Sequence, residues 1–254
     1  MSQMPQSNIQ QALHKATPIW GGWITGPTLI GPEEFARAGY DYVGFDAQHG
    51  YLDDADIAGM LRRLEQVPIA TAVRLPNADP APIGRVLDAG ADAIIVAMIE
   101  SADQASAAVA ATRYPPTGSR SFGPLRASLG TDTTKLESRV SVFAMIETAA
   151  ALADVDEICA VPGLAGVYVG PADLAISMGV DVTEATTHPA VREAIAGIHS
   201  AASAAGLVAA VHAGNAKAGH AMAGLGFQML TLESEAQALR RGATASLREA
   251  RGEW

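Results

Sequence analysis

The stretch IATAVRLPNADPAPIGRVLDAGADAIIVAMIE (69–100) contains the pattern that the rest of the chain repeats. Two short apolar runs, IATAVRLP (69–76) and AIIVAMIE (93–100), flank the helix-like segment DPAPIGRVLDAG (79–90). Runs this continuously apolar are typical of parallel strands that are buried on both faces. Asp and Pro at the start of the middle segment and Gly at its end are ordinary signals for the two ends of a helix. The stretch therefore predicts a strand, a helix and a second, parallel strand.

Six further apolar runs alternate with helix-like segments in the same way, at residues 18–24, 42–47, 141–147, 164–171, 207–213 and 227–233. Eight such alternations in a chain of 254 residues predict a single (β/α)8 TIM barrel over residues 1–254, with 1–18 as an N-terminal leader or helix. A doubly wound open sheet is the alternative, but no G-x-G-x-x-G follows the first strand. One long segment, 114–139, interrupts the pattern, and a loop of that length is typically functional.

Composition excludes several classes of partner and site. The 17 Lys and Arg against 27 Asp and Glu give a net charge of −10, which argues against nucleic acid and anionic membranes as partners. The single cysteine, Cys159, excludes disulfide scaffolds and thiolate-rich metal sites. Residues 1–18 contain no apolar signal segment, and no later run is long enough to span a bilayer. We expect a cytoplasmic protein.

Glu147 and Asp173 are the first candidates for chemistry, because active residues of a (β/α)8 barrel lie at the carboxyl ends of the strands. They follow consecutive predicted strands, which lie about 4.8 Å apart in a parallel sheet, so their carboxylates are placed to share one cation. Oxygen ligands of this kind suit Mg²⁺, Mn²⁺ or Co²⁺. The alternatives are that Asp173 caps a helix and that Glu147 interacts with a helix dipole.

Arg74 lies in an otherwise apolar strand, where its charge requires a partner such as Asp46 or Glu147. There it would be a fixed cation beside a developing oxyanion. Asp46 and His49 follow the second strand, and a carboxylate beside a histidine prepares a general base.

The lysines exclude one class of covalent mechanism for a barrel enzyme. All three, Lys15, Lys135 and Lys217, lie outside the predicted strands. A barrel enzyme that works through a Schiff base needs a desolvated lysine that points into the barrel. Activation of a carbonyl group is therefore left to a metal, or to arginine and hydrogen bonds.

Seven segments together resemble one family. They are GGW (21–23), FDAQHG (45–50), VRLP (73–76), VLDAGA (86–91), ATRYPPTGSRSFGP (111–124), MIET (145–148) and VGPADLAISMG (169–179). From about Ala12 to the last helix, the chain is similar to the metal-dependent (class II) 2-oxo-acid aldolases of the HpcH/HpaI aldolase/citrate lyase family. The resemblance implies reversible cleavage of a 4-hydroxy-2-oxo acid to pyruvate, or hydroxypyruvate, and an aldehyde.

The resemblance also implies roles for the metal and for the 2-oxo acid. Glu147 and Asp173 would bind the divalent metal, with no organic cofactor. The carboxylate of the 2-oxo acid would meet backbone N–H groups in the segment made of Gly170, Pro171, Ala172 and Asp173. Arg74 would stabilise the enolate oxygen that develops on the metal side of the substrate.

Further roles implied by the resemblance concern the aldehyde half and the assembly. His49, steered by Asp46, would transfer the proton of the aldol hydroxyl, and Trp23 would form a wall of the pocket. Asp88 would reach the site of a neighbouring subunit, in a homohexamer built as a trimer of dimers.

This sequence departs from the family pattern at two positions, and two arginines are further candidates. Gln48 stands where a glutamate is frequent, and Met145 stands where some members have glutamine. Arg120 and Arg126 are candidates to meet the distal end of an acidic acceptor. The alternative functions are a citrate-lyase-β-like carbon–carbon lyase acting on an acyl-CoA or dicarboxylate substrate, and a metal-binding barrel without catalysis.

Overall fold

The computed structural model describes residues 8–15 and 18–253. These residues contain eight parallel strands that close into a barrel in chain order, which confirms the (β/α)8 prediction and excludes the open sheet. Each of the eight predicted runs contains a strand, or overlaps one that begins or ends within two residues of it. The strands are β1 Ile19–Ile24, β2 Tyr42–Asp46, β3 Ala70–Leu75, β4 Ala93–Val96, β5 Ser141–Ile146, β6 Gly166–Val169, β7 Val208–His212 and β8 Met229–Ser234.

Helices follow the strands and cover the outside of the barrel. The described residues form α1 Ile9–Lys15, α2 Gly31–Arg37, α3 Asp54–Arg63, α4 Pro80–Asp88, α5 Ala102–Ala110, α6 Thr133–Ser138, α7 Ala149–Ala153, α8 Val155–Cys159, α9 Pro171–Ser177, α10 Pro189–Ala204, α11 Ala216–Gly224 and α12 Glu235–Arg251. Short 3-10 turns lie at Leu64–Gln66, Ala127–Leu129 and Val182–Glu184. A layer of Val, Ile, Leu and Ala packs between strands and helices.

Small residues on the strands make room for large aromatic rings inside the barrel. A Cβ at Gly44 would lie 2.2 Å from the ring of Trp23, and one at Gly21 would lie 2.1 Å from the ring of Tyr42. Any larger side chain at these two positions would displace an aromatic ring from the packed interior. Gly44 of β2 therefore sets the position of Trp23 inside the barrel, and Gly21 of β1 sets that of Tyr42.

The amino-terminal end of the barrel is closed by α1. Ile9 and Ala12 are buried in the same interior cluster as Ile19, Ala70 and Met229, which are the first residues of β1, β3 and β8. Of the predicted N-terminal leader or helix, residues 9–15 are helical, and residues 1–7, 16 and 17 lie outside the described part of the chain. Because α1 closes this end, the open mouth is at the carboxyl ends of the strands.

The long segment 114–139 lies at the closed, amino-terminal end. It follows α5, which returns from the mouth, and it leads through α6 into the start of β5. Its backbone is hydrogen-bonded to the last residues of two helices. The Ser119 N–H donates to the carbonyl oxygen of Ala110 in α5 at 3.0 Å, and the Leu125 N–H donates to that of Asp88 in α4 at 2.9 Å. The segment, with Arg120 and Arg126, therefore lies far from the mouth of its own barrel.

The helix α12 is amphipathic but buries none of its residues. Leu239 and Leu247 are 73% and 51% exposed, so an apolar side of the helix faces solvent in a single chain. Within residues 8–15 and 18–253, no helix combines the length and the apolar composition needed to cross a membrane.

Candidate active site

Glu147 is a buried carboxylate at the end of β5 with one oxygen unpaired. Its Oε1 accepts the backbone N–H of Met98 at 2.8 Å, whereas Oε2 is buried and has no hydrogen-bond partner in the described residues. A Cβ at Gly170 would lie 2.7 Å from Oε2, so the absence of a side chain there is what admits the carboxylate. A charged oxygen that is removed from water and left without a donor is costly, and it is a natural position for a cation.

Asp173 lies beside Glu147 and does not act as a helix cap. Gly170 precedes α9, so Asp173 falls in the first turn of that helix. Glu147 precedes Thr148, whose hydroxyl caps α7 by accepting the N–H of Ala151 at 3.0 Å. The alternative that Asp173 caps a helix is therefore wrong, and the charge of Asp173 instead acts on the Glu147 carboxylate.

The pKa of Glu147 is raised, chiefly by burial. The Met98 N–H lowers this pKa, the negative charge of Asp173 raises it, and the charge of Arg74 lowers it. Two carboxylates held together in this way repel unless a proton or a cation lies between them. Among the described residues, no three His, Cys, Asp or Glu side chains gather as a ready-made ligand set. The pair fits a hard divalent cation that keeps positions for water and substrate oxygens.

Arg74 and Asp46 form a buried ion pair beside these carboxylates. Arg74 Nε donates to Asp46 Oδ1 at 3.0 Å, and Nη2 donates to Oδ2, a two-point contact that fixes the plane of the guanidinium. The guanidinium carbon lies 5.5 Å from the centre of the Trp23 ring. Arg74 Nη1 makes no hydrogen bond within the described residues, so its donors remain available to a substrate oxygen.

Asp46 holds the loop that carries His49 through the backbone. Its Oδ1 accepts the N–H of Gln48 at 3.1 Å and that of His49 at 2.9 Å, and its Oδ2 accepts the indole N–H of Trp23 at 3.2 Å. Asp46 thus has five donors on its two oxygens, and its contact with His49 is through the backbone N–H of that residue. Burial alone would raise the pKa of Asp46, but the bonds and charge of Arg74, together with the N–H donors, lower it.

A polar group lies beneath the site, inside the barrel. His212 Nδ1 lies 3.3 Å from the hydroxyl of Tyr168, and the same hydroxyl lies 2.7 Å from Thr231 Oγ1. The His212 ring meets the Trp23 ring edge-on, with centres 5.3 Å apart. Burial, with the charge of Arg74, lowers the pKa of His212 to about 4, so the ring is neutral at physiological pH. This histidine therefore packs against the Trp23 wall as an uncharged group.

Comparison with known proteins gives the same assignment. A model of the HpcH/HpaI aldolase/citrate lyase family matches residues 21–239. The chain belongs to this family. The hydroxypyruvate/pyruvate aldolase of Rhizorhabdus wittichii is 34% identical over 248 residues, which cover 96% of this chain and 99% of the relative. The 4-hydroxy-2-oxovalerate aldolase of Novosphingobium aromaticivorans is 37% identical over 183 residues, or 70% of each chain.

A solved member of the HpcH/HpaI aldolase/citrate lyase family has the same architecture over the whole chain. The protein from Burkholderia cenocepacia J2315 superposes with a TM-score of 0.87 at 30% identity, covering 96% of this chain and 98% of its own. The predictions of the family and of a carbon–carbon lyase of the pyruvate aldolase type are thereby confirmed. The citrate-lyase-like alternative is not favoured.

Three residues that the family resemblance or the loop pattern selected lie at the other end of the barrel. Asp88 ends α4, and Arg120 Nη2 donates to its Oδ1 at 2.8 Å. Arg126 donates to the backbone oxygen of Leu61, at the end of α3. Within one chain, none of the three reaches the mouth. An HpcH/HpaI site that uses Asp88, Arg120 or Arg126 requires a second copy of the chain.

Sequence reasoning missed Met98, the partner of Glu147 Oε1. Met98 has a φ of 55°, a left-handed conformation that is uncommon for a residue other than glycine, and this conformation follows the end of β4. The structure uses its backbone, and no side-chain pattern signals a backbone donor. The contact of His212 with Tyr168 was missed as well, although both residues belong to strands that had been identified.

Proposed function

We propose that this chain cleaves a 4-hydroxy-2-oxo acid reversibly to pyruvate, or hydroxypyruvate, and an aldehyde, with a divalent metal bound by Glu147 and Asp173. The observation that carries the proposal is the unpaired, buried Oε2 of Glu147 facing a second carboxylate. Mg²⁺, Mn²⁺ and Co²⁺ suit such oxygen ligands. When bound, the metal would supply a Lewis acid that polarises the keto group of the 2-oxo acid.

Arg74 would stabilise the negative charge that develops on the keto oxygen as the carbon–carbon bond breaks. Its Nε and Nη2 are committed to Asp46, so the guanidinium plane is fixed before substrate arrives. The Nη1 donors are left for the oxygen. A donor that is already oriented needs no rearrangement during the reaction, which is the main source of this kind of stabilisation.

His49 would take the proton from the 4-hydroxyl group during cleavage and return it during synthesis. The residue is exposed at the mouth, on a loop that Asp46 holds by two backbone N–H groups. Asp46 would then act by placing both His49 and Arg74, without receiving a proton itself. Its lowered pKa supports this role, because an ionised Asp46 is needed for all five of its bonds.

The 2-oxo acid would lie between α9 and Trp23. The N–H groups of Ala172 and Asp173 belong to the first turn of α9, where no intrahelical carbonyl is in reach, and Pro171 has no N–H. These two donors would receive the substrate carboxylate, and Gly170, whose own N–H donates to the Ile146 carbonyl oxygen at 3.2 Å, would line the same position. Trp23, held by Asp46 and stacked on Tyr168 with ring centres 6.3 Å apart, would form the opposite wall.

We also propose a homo-oligomer, a hexamer built as a trimer of dimers, in which Asp88 of one subunit enters the mouth of another. The exposed leucines of α12 and the position of Asp88 at the closed end of its own barrel support an assembly.

The test is release of pyruvate or hydroxypyruvate from a panel of aldols made with glyoxylate, succinic semialdehyde or glyceraldehyde. The protein is first treated with EDTA and then supplied with Mg²⁺, Mn²⁺ or Co²⁺. We expect activity only with metal, and none from Glu147→Ala at any ordinary metal concentration. The matched control is Glu157→Ala, an exposed glutamate of α8, which should keep the wild-type rate. Full turnover in excess EDTA would refute the metal-dependent mechanism.

A second substrate separates the roles of the residues. Decarboxylation of oxaloacetate also develops an enolate, but it requires no base for a hydroxyl proton. His49→Ala should therefore lose aldol cleavage and keep decarboxylation, whereas Arg74→Ala should lose both. Equal loss of the two activities in His49→Ala would show that His49 has another role.

A further inference from the structure

The loop that carries His49 is held at both ends by backbone contacts. At its start, Asp46 accepts the N–H groups of Gln48 and His49. At its end, the N–H of Tyr51 donates to the carbonyl oxygen of Thr25 at 2.8 Å. The Tyr51 ring itself is 85% exposed, so its side chain does not anchor the loop. The position of the loop end depends on the Thr25 carbonyl.

The Thr25 carbonyl belongs to the peptide between Thr25 and Gly26, and the carboxylate of Glu235 binds the N–H of that peptide. Glu235 Oε1 accepts the N–H of Gly26 at 3.1 Å and the N–H of Thr25 at 3.0 Å. The Thr25 carbonyl and the Gly26 N–H are the two ends of one planar, trans peptide unit, and they point in opposite directions. Glu235 therefore fixes the orientation of the peptide whose oxygen receives Tyr51.

The fit around this peptide is close. A Cβ at Gly50 would lie 2.5 Å from the Thr25 oxygen, so the loop is packed directly against the carbonyl. The Thr25 hydroxyl also lies within 3.4 Å of Glu235 Oε1. Rotation of the peptide would break the bond to Tyr51 and press the oxygen against the loop. A displacement of the Glu235 carboxylate would therefore shift the backbone at Gly50 and at the neighbouring His49.

We propose that Glu235, the first residue of α12, is a positioning residue for His49, acting through the peptide between Thr25 and Gly26. The role rests on the proposed function, in which His49 transfers the hydroxyl proton. A first-turn glutamate is by itself an ordinary partner of the helix dipole. Glu235 differs because its carboxylate accepts three donors that follow β1: the N–H and hydroxyl of Thr25 and the N–H of Gly26. Hydrogen bonds to a charged acceptor are stronger and more directional than neutral ones.

The test compares Glu235→Gln and Glu235→Ala with Glu249→Gln, which removes the same charge from an exposed position of the same helix. Each variant is assayed for aldol cleavage and for oxaloacetate decarboxylation. A misplacement of a catalytic group by about 1 Å can cost roughly a hundredfold in rate. We expect kcat for aldol cleavage to fall roughly ten- to a hundredfold in Glu235→Ala and less in Glu235→Gln, with decarboxylation within about twofold of wild type.

Hydrogen exchange at the Tyr51 amide supplies a readout that does not depend on activity. In the folded protein, exchange at Tyr51 should be faster in both Glu235 variants than in wild type or in Glu249→Gln. Parallel loss of both activities, an unchanged ratio of the two, or unchanged exchange at Tyr51 would each overturn the role of Glu235. A wild-type protein that lacks aldol cleavage would instead overturn the proposed function, which is a separate result.

Discussion

Glu147→Gln should make the metal-free protein more stable while it abolishes catalysis. The glutamine oxygen can keep the Met98 N–H, and its NH₂ group takes the place of Oε2, where it can donate to Asp173. The substitution thus supplies a donor where a buried acceptor is unpaired, and a group of that kind costs about 1–3 kcal/mol. We expect a gain of about 1–3 kcal/mol in the free energy of unfolding. For a chain of this size, each kcal/mol corresponds to a shift of about 2–4 °C in Tm.

The gain should depend on pH with a definite sign. Because the native pKa of Glu147 is raised above its ordinary value of 4.5, the folded protein binds this proton more tightly than the unfolded chain does. The stabilising contribution of the group is complete below 4.5 and is lost as the pH rises through the native pKa. Glu147→Gln carries no such proton. The difference in stability between the variant and wild type should therefore grow from pH 4.5 upward and level off above the native pKa.

Denaturant unfolding followed by circular dichroism, with EDTA and then with Mn²⁺, checks both effects. Metal at about a thousand times its Kd should stabilise wild type by about 4.1 kcal/mol and leave Glu147→Gln unchanged, so that the order of stability is reversed. Glu157→Gln is the control for removal of one exposed charge. A variant less stable than wild type in EDTA at pH 7, or equal stabilisation of both by Mn²⁺, would refute the reading of Glu147 and Asp173 as a repelling pair.

Three further substitutions test other contacts. Gly170→Ala places a Cβ 2.7 Å from Glu147 Oε2 and should weaken metal binding about ten- to a hundredfold in calorimetry, whereas Gly197→Ala, which has open space around it, should not. Asp46→Asn leaves a buried guanidinium without its counter-ion and should lower the free energy of unfolding by about 3–5 kcal/mol; a loss below about 1 kcal/mol would contradict the buried pair. His212→Gln should remove the part of the acid sensitivity that wild type shows as the pH falls from 6.5 toward 4, because protonation of His212 favours the unfolded chain. Identical acid unfolding curves would contradict that assignment.

The fold could be predicted from the sequence because every strand is short, apolar and followed by helix signals. The period of strand and helix is a local property, and eight repeats leave few topologies. The place of segment 114–139 could not be predicted from the sequence. Loop length indicates that a segment has a use, but not at which end of the barrel it lies. That end follows from the direction in which α5 runs, which places the segment at the closed end with Asp88.

The candidate site could be predicted in part. Strand ends select Glu147, Asp173, Arg74 and Asp46 because the carboxyl ends of parallel strands meet at one face. The sequence does not tell which atoms pair, because His49 offers Asp46 both a side-chain imidazole and a backbone N–H. Backbone donors such as Met98 N–H leave no mark in the pattern of side chains.

The two charged pairs at the mouth differ in a way that indicates which charge awaits a ligand. Arg74 and Asp46 are fully matched: five donors fill the oxygens of Asp46, and its pKa is lowered. Glu147 and Asp173 are mismatched, with one buried oxygen unpaired and the pKa of Glu147 raised. The same end of the barrel thus provides hydrogen-bond donors for both oxygens of Asp46 but none for Oε2 of Glu147. The unpaired Glu147 carboxylate therefore fits a position that a bound cation would fill. The paired Arg74 guanidinium fits a group that is oriented before the substrate binds.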